Sequence, residues 1–508
     1  MRKHSMPFFI CSLLIFSFSG VAFAGGGHDL GSELPLWSVI PFVGILLSIA
    51  IFPLVAEKFW HHHYGKISAA WALMFALPFL FIYGDLAVHE ILHTYFLEYF
   101  PFIILLWALY TVSGGILVQG APVGLPVANL VLLAIGTALA SWIGTTGAAM
   151  VLIRPYLRMN QYRKSKIHLI VFFIILVANV GGSLTPLGDP PLFLGFLQGV
   201  DFFWTFNIIG QMLFVVGILL AVFMMWDTWM FRKEGWHKKM HLIDAHMETE
   251  HHGEEIVLEE EVELENPQTH KIEKKSYKMT VQGLFNFLFL GGIIVGVLFS
   301  GQFHLGEVTV FGIHMEWQNI IRDFFLIIMG VLSLIFTPQD YRKSNDFNWF
   351  PIVEVAKLFA GIFITIIPAL VMLRAGEKGA LKFIIDAVNE PLHYFWITGT
   401  LSSFLDNAPT YLVFFNTAIG KFSVDIAQSG LQGVEWLMSL EHGAIYLKAI
   451  SCGAVFFGAM TYIGNAPNFM VKAISEQAGI KMPSFFGYMA YSVVILTPLF
   501  ILTTLIFF

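Results

Sequence analysis

This sequence has little charge and little cysteine. Of its 508 residues only 12% are Asp, Glu, Lys or Arg, whereas 57% are hydrophobic and 51 are Phe. Soluble domains contain about a quarter charged residues, so this composition excludes a soluble globular protein. The two cysteines, Cys11 and Cys452, lie in apolar surroundings, which excludes a disulfide framework and a cysteine-metal site. No basic stripe is present, so we expect no nucleic-acid partner.

Long apolar runs are what the sequence contains instead. Runs of about 20 residues, long enough to cross a bilayer core of about 30 Å, occupy residues 35–56, 67–88, 98–118, 205–230, 280–300, 318–337, 350–373 and 485–507. Four further apolar regions are interrupted, at residues 125–155, 168–199, 393–418 and 443–472. The pattern predicts an all-α polytopic membrane protein that contacts the lipid bilayer along most of its length.

The first 24 residues have the layout of a cleavable signal peptide. Arg2 and Lys3 precede a short apolar stretch, and small residues stand at positions 22 and 24. A first anchor that stays attached is the alternative. Cleavage after Ala24 places the start of the mature chain outside the cytoplasm.

The basic residues predict the orientation of the spans. Segments 154–166, 232–278 and 341–343 carry most of the lysine and arginine between spans, and all three then fall in the cytoplasm, as the positive-inside rule requires. This requires region 125–155 to enter and leave on the same side, as a re-entrant hairpin. The exception is segment 374–392, which is predicted outside yet holds basic residues, namely Arg374, Lys378 and Lys382.

A polar segment, residues 231–278, separates a first membrane half (25–230) from a second (279–508). It contains six histidines: His237, His241, His246, His251, His252 and His270. Because histidine titrates near neutral pH, a metal or pH sensor is one interpretation. A solvated cytoplasmic linker is the favoured one, because no metal-ligand spacing recurs in the segment.

Each half contains one interrupted hairpin followed by one interrupted span. The hairpin tips read SWIGTTGAAMVLIRP (141–155) and GTLSSFLDNAPTYLVF (399–414), and the span breaks read ANVGGSLTPLGDPP (178–191) and TYIGNAPNF (461–469). Lipid cannot hydrogen-bond a freed backbone, so unwound segments at membrane depth are tolerated where they line a polar cavity. In the predicted orientation the two hairpins enter from opposite sides, which is the inverted repeat typical of secondary transporters.

Oxygen-bearing side chains are concentrated at the four breaks. The candidate site residues are Asp406, Asn407, Ser402, Ser403, Thr410, Asn465 and Asn468 in the second half and Asp189, Asn179, Ser183, Thr185, Thr145 and Thr146 in the first. Hard cations prefer oxygen ligands, and a carboxylate at membrane depth can alternate between a proton and a sodium ion. The alternative for the aspartates and for Asn465 and Asn468 is helix capping, and for the two threonines an ordinary turn.

Glu354 and Lys357 form a candidate accessory pair, one helical turn apart in VEVAKLFAGIF. Charged residues inside a span are functional candidates. An intrahelical ion pair near the membrane boundary is the alternative.

At these breaks the sequence resembles the ion transporter superfamily, most closely the NhaD-type sodium/proton antiporters. The resemblance rests on GGSLTPLGDPP, SSFLDNAPTYLVF and GNAPN and on the order of the breaks. It implies two inverted repeats, each with a re-entrant hairpin and an unwound helix. It also implies a homodimer in the bacterial inner membrane that exchanges Na⁺ or Li⁺ for protons without a bound cofactor.

The resemblance also implies residue roles. Asp406 and Asn407 look like the family's ion-site pair, with Ser402 beside them, and Asn179 and Asp189 match polar positions of its broken first-half helix. NhaD-type chains tend to carry an Asp-Asn pair in the first hairpin too. This chain departs from that pattern, because the corresponding positions look like Thr145 and Thr146.

Three alternative functions stay open. Na⁺-coupled di- or tricarboxylate symporters of the same superfamily resemble one another in having Ser-Asn-Thr at both tips, whereas this chain has an aspartate, which repels a carboxylate. Efflux of arsenite or another oxyanion is the second. The third is a membrane metal sensor or hydrolase using the histidine-rich segment, but no span carries histidines and acids at helical spacing. We therefore expect a transporter and not an enzyme.

Overall fold

The computed structural model describes residues 30–120, 122–235, 247–252, 255–265 and 272–508. The predicted signal peptide, residues 1–24, lies outside the described residues. So do four of the six histidines of the polar segment, His237, His241, His246 and His270.

Helices form most of the first half. In chain order they are α1 (Leu30–Glu33), α2 (Ile40–Val55), α3 (Glu57–Tyr83), α4 (Asp85–Thr94), α5 (Phe100–Ser113), α6 (Pro126–Ile143), α7 (Thr145–Met159), α8 (Ile167–Leu176), α9 (Pro190–Leu197) and α10 (Ile209–Lys233). A π-helical turn, Tyr95–Tyr99, joins α4 to α5, and 3-10 turns occupy Leu36–Val39, Val180–Ser183 and Phe202–Ile208. Gly144 alone separates α6 from α7, and its φ of 79° is one that glycine adopts without strain.

The second half repeats the alternation of long and interrupted helices. Its helices are α11 (Phe285–Gln302), α12 (Trp317–Phe336), α13 (Gln339–Ser344), α14 (Phe350–Thr365), α15 (Ile367–Arg374), α16 (Lys382–Ala387), α17 (Pro391–Phe404), α18 (Asn407–Lys421), α19 (Ser423–Ser429), α20 (Gly433–Met438), α21 (Ala444–Phe457), α22 (Ala466–Gln477) and α23 (Phe485–Phe507). Short 3-10 turns occupy Gly376–Lys378 and Gly458–Met460.

Many of these helices have the length and composition of membrane spans. Within the described part of the chain, eight pass this test, and α14 with α15 makes a ninth that is bent by 43°. The predicted all-α polytopic class is confirmed. The predictions of the second and third spans were wrong at their starts, because these spans begin at Glu57 and Asp85 and not at residues 67 and 98. Both helical segments include polar residues before the apolar run, such as residues 61–63, which a hydropathy run leaves out.

Six strands accompany the helices in the residues that the structure describes. They are β1 (Leu117–Gln119), β2 (Met247–His252), β3 (Glu255–Glu265), β4 (Ile272–Gln282), β5 (Glu307–Val310) and β6 (Ile313–Glu316). All pairings are antiparallel, in the orders β1-β4-β3-β2 and β5-β6, with Val118 opposite Val281. Strands β2 to β4 were not predicted from the sequence. Their signal was the alternation of Val262 and Leu264 with glutamates, a strand period of two.

The interrupted helices occupy the interior of the fold. Residues 168–176 of α8 are all buried, whereas the long helices leave apolar side chains such as Phe81 exposed, in its case by 93%. The reason is the backbone: a helix with freed amides and carbonyls needs protein around it, whereas an unbroken helix can face lipid. The breaks therefore lie where the protein surrounds them.

Candidate ion-binding site

After each break the helix begins again at an N-cap residue whose polar side chain does not cap it. A residue at the N-cap normally accepts a hydrogen bond from the amide of the second or third helical residue. Asp189 precedes Pro190 and Pro191, and Asn465 precedes Ala466 and Pro467, so the second helical residue has no N–H in either case. Neither Asp189 nor Asn465 makes a side-chain cap bond. Both side chains are consequently free to bind elsewhere.

The Asp189 carboxylate is the point at which all four interrupted segments meet. Its Oδ1 accepts hydrogen bonds from Thr145 Oγ1 at 3.0 Å and from Asn465 Nδ2 at 2.9 Å. Its Oδ2 accepts one from Asn407 Nδ2 at 2.6 Å. Thr145 stands at the tip of α6–α7, Asn407 at the tip of α17–α18, and Asn465 in the break between α21 and α22. Asp189 is 1% exposed.

Two more asparagines extend this cluster. Asn179 Nδ2 donates to Asn468 Oδ1 at 2.7 Å, and Asn465 Nδ2 lies 3.3 Å from Asn179 Oδ1. Asn468 Nδ2 in turn donates to the carbonyls of Gly458 and Thr461, at 2.7 and 2.9 Å. These bonds join the two unwound segments directly. The asparagine side chains also supply hydrogen-bond partners to backbone carbonyls that have no partner within a helix.

The two halves share a matching set of hydrogen bonds. The Thr185 hydroxyl donates to the Ser141 carbonyl, and Thr461 Oγ1 donates to the Ser403 carbonyl at 2.5 Å. The motif T-x-x-G-[D/N]-x-P therefore recurs as TPLGDPP and TYIGNAP, beside hairpin tips SWIGT and SFLDN. This pairing corrects one interpretation: Gly144 with Thr145, and not Thr145 with Thr146, corresponds to Asp406 with Asn407.

Asp406 has a different role from Asp189 in the structure. Its Oδ1 accepts the Ala408 amide at 3.0 Å, and it therefore caps α18. The other hydroxyls predicted beside it also bond to nearby backbone: Ser402 to Ala454, Ser403 to Gly399 and Phe457, and Thr410 to the Asp406 carbonyl. Ser183 likewise donates to the Val180 carbonyl. None of these hydroxyls contacts Asp189.

The candidate accessory residues lie away from this cluster. The Lys357 ammonium stands 5.6 Å from the ring centroid of Tyr64, and the Glu354 carboxylate faces Trp60 and His61. Glu354 and Lys357 therefore contact α3 and do not reach the four breaks.

A cavity of about 90 Å³ leads to Asp189. Its walls combine apolar side chains with the first hairpin tip, where Thr146 joins Thr145, and with the residues around the break that precedes α9. Tyr110 and Ile352 also line it. This volume has room for several water molecules. Of the described residues that line it, none is Lys or Arg.

A buried charged cluster at the other end of α8 was not predicted from the sequence. Asp227 Oδ1 accepts a hydrogen bond from Arg163 Nη2 at 2.7 Å and lies 3.0 Å from His168 Nε2. Asn129 Nδ2 donates to Asp227 Oδ2 at 2.9 Å, and Arg163 Nε donates to Glu234 at 3.3 Å. The available signal was a lone acid, Asp227, inside an apolar run. These bonds fasten the base of the first hairpin to α10.

No resident metal centre is found in the described part of the chain, where no three His, Cys, Asp or Glu residues come together.

Comparison with known proteins gives the family. Residues 31–508 match the CitMHS_2 family, described as "Putative citrate transport". No individual curated protein matches the chain. Because the family match spans nearly the whole sequence, the chain belongs to this family of citrate and ion transporters and is a multi-pass membrane protein with a transport role.

Proposed function

We propose that the chain is a secondary transporter that exchanges Na⁺ or Li⁺ for H⁺ across the bacterial inner membrane. The observation that carries the proposal is a single buried carboxylate, Asp189, to which all four interrupted segments contribute and which only neutral donors contact. The resemblance to NhaD-type antiporters supports the same exchange, and with it a homodimer.

The surroundings of Asp189 suit an alternation between proton and cation. A bare carboxylate in this setting is unfavourable by several kcal/mol, so the site is stable only with a proton or a cation bound. Thr145, Asn407 and Asn465 each carry an oxygen as well as a donor, and rotation of a hydroxyl or an amide presents that oxygen to a cation. Since one carboxylate serves both ligands, binding of one releases the other.

In the predicted orientation the cavity beside Asp189 extends toward the cytoplasmic side, because two of its lining residues, Tyr110 and Ile352, lie near the cytoplasmic ends of α5 and α14. A cytoplasmic Na⁺ then reaches Asp189 through this cavity. The same conformation separates Asp189 from the outside by the length of α9, so exchange requires a rearrangement of the interrupted helices.

Na⁺-coupled transport of citrate is the second candidate, because the family description names citrate transport. The site geometry favours the cation alone. A tricarboxylate in the cavity would face Asp189 with no lysine or arginine among the described lining residues to offset the repulsion.

Transport by everted vesicles distinguishes the two candidates. The proton gradient is followed by a pH-sensitive fluorophore while Na⁺, Li⁺, K⁺ or citrate is added. We expect Na⁺ and Li⁺ to dissipate the gradient, K⁺ to have little effect, and Asp189→Asn to abolish the response. Asp340→Asn is the matched control, since its side chain is 88% exposed at the surface. Dissipation by citrate and not by Na⁺ alone, or full exchange in Asp189→Asn, would contradict the proposal.

A further inference from the structure

Another buried carboxylate, Glu98, lies outside both the ion site and the Asp227 cluster described above. It belongs to the π-helical turn Tyr95–Tyr99 and is 6% exposed. Its Oε1 accepts a hydrogen bond from Gln198 Nε2 at 2.9 Å, whereas its Oε2 is buried without a hydrogen-bond partner. Single π-helical turns inside α-helices occur frequently at functional sites.

Gln198 connects Glu98 to α9, the short helix that begins after Asp189. Gln198 Oε1 accepts from Arg374 Nη2 at 3.0 Å, and Arg374 Nε donates to Asn416 Oδ1 at 2.5 Å. We call this series of hydrogen-bonded side chains, Glu98–Gln198–Arg374–Asn416, the outer latch. Gln198 is the C-cap of α9, so the latch holds the end of α9 opposite to Asp189. An eight-residue helix is about 12 Å long, which makes α9 a short rigid link between Asp189 and Glu98.

The chemistry of the latch indicates that Glu98 carries a proton in this conformation. A buried carboxylate anion with a single neutral hydrogen bond is costly, whereas a carboxylic acid at the same place is not. The charged groups that face Glu98 are Arg374 from α15 and Glu90 from α4, and His93 faces Arg374. Arg374 reaches Glu98 only through Gln198, so its charge is not used in a direct ion pair.

The nearby tyrosine hydroxyls are committed elsewhere. Tyr95 donates to the Ala360 carbonyl at 2.9 Å, and Tyr99 donates to the Ala356 carbonyl at 3.0 Å, both on α14. They fasten the π-helical turn to α14 and do not satisfy the free oxygen of Glu98. The turn is therefore bonded to α14, whereas α9 and α18 carry residues of the ion site or begin beside it.

We propose that Glu98 is a proton-binding site at the outer end of the transport path, and that the outer latch keeps that end closed while Glu98 is protonated. When the proton leaves to external water, the Glu98 anion attracts the Arg374 guanidinium directly. Arg374 then leaves Gln198 and Asn416, and the ends of α9 and α18 are released. This inference rests on the transport role of the chain but not on which ion is carried. It also explains why a basic residue, Arg374, lies on the side that is predicted to be outside, against the positive-inside rule.

Cysteine labelling from the outside tests the latch. Leu194→Cys places a thiol on buried α9, and the native Cys452 is fully buried. Intact cells or right-side-out vesicles are treated with a membrane-impermeant maleimide across a pH series. In the Leu194→Cys protein we expect the labelling rate to rise with pH. At high pH it should exceed, by several-fold, the rate of the Leu194→Cys/Glu98→Gln double variant. Comparison at the same pH cancels the titration of the thiol itself.

Two further variants complete the test. Glu90→Gln, which removes a nearby but partly exposed carboxylate, should keep the pH dependence of the Leu194→Cys parent. Arg374→Gln should raise labelling even at acid pH, because it removes the latch without changing Glu98. An equal rate with Glu98 and with Glu98→Gln at every pH, in protein that elutes as a folded species, would overturn the proposal. The labelling rate is measured without a transported ion. Failure of the Na⁺ transport assay would therefore not change the outcome of the labelling test.

Discussion

At the residue scale, the contrast between Asp189 and Asp406 shows how the next two residues decide the role of a carboxylate. Both aspartates stand immediately before a helix that restarts at a break. Asp406 is followed by residues with free amides and binds that of Ala408, whereas Asp189 is followed by two prolines and finds no amide in the same position. The prolines thus leave the Asp189 carboxylate available to the other three segments.

Substitution of Asp406 separates its charge from its capping role. Asparagine caps a helix about as well as aspartate, so we expect Asp406→Asn to retain exchange with a several-fold weaker apparent Na⁺ affinity, because a nearby negative charge is lost. Asp406→Ala also loses the cap and should destabilise the protein by about 1 kcal/mol. Sodium titration of the vesicle response and thermal unfolding in detergent measure the two effects. Complete loss of exchange in Asp406→Asn would make Asp406 a direct ligand.

At the element scale, the breaks depend on close approach of backbone to backbone. A Cβ atom on Gly188 would lie 2.1 Å from the Gly182 carbonyl oxygen, and one on Gly464 would lie 2.6 Å from that of Gly458. The Thr145 amide also donates to the Gly188 carbonyl at 2.8 Å, so the hairpin tip depends on the same turn. Each unwound segment is therefore a folded turn, with its geometry set by glycine and held by threonine and asparagine side chains.

Gly188→Ala should disturb this turn. The added methyl group forces the backbone at Gly188 away from the backbone at Gly182. Overpacking of this kind lowers the free energy of unfolding by about 1–3 kcal/mol. We expect a lower unfolding temperature and slower exchange. Gly217→Ala is the control, because a Cβ there meets nothing within 4 Å. Equal stability of the two variants in thermal unfolding would contradict the role assigned to close packing at the break.

At the scale of the whole molecule, the polar segment is attached to the membrane part through its last strand. β4 pairs with β1, which follows α5, while β2 and β3 extend the sheet away from that attachment. The site residues around Asp189 make no hydrogen bond to this sheet within the described part of the chain. In its described residues, the segment thus connects the two halves without contributing to the four breaks.

Deletion of residues 240–270 should leave transport intact. It removes β2 and β3 but retains the pairing of β1 with β4, so the connection between the halves remains closed. We expect the ion-dependent response of vesicles to match that of the full chain once protein amounts are equalised. Loss of the response in a deletion variant that still assembles in the membrane would assign the histidine-rich segment a functional role.

The sequence by itself determined the membrane class, most of the spans and the four breaks, because these depend on local composition: apolar length, glycine, proline and paired polar residues. It also marked each residue that contacts Asp189. The tertiary structure alone decided that Asp189 and not Asp406 lies where the breaks meet, since that depends on contacts between residues up to 276 positions apart. It likewise revealed the buried Asp227 cluster and the outer latch. Their members are single polar residues scattered along the chain, and only packing brings them together.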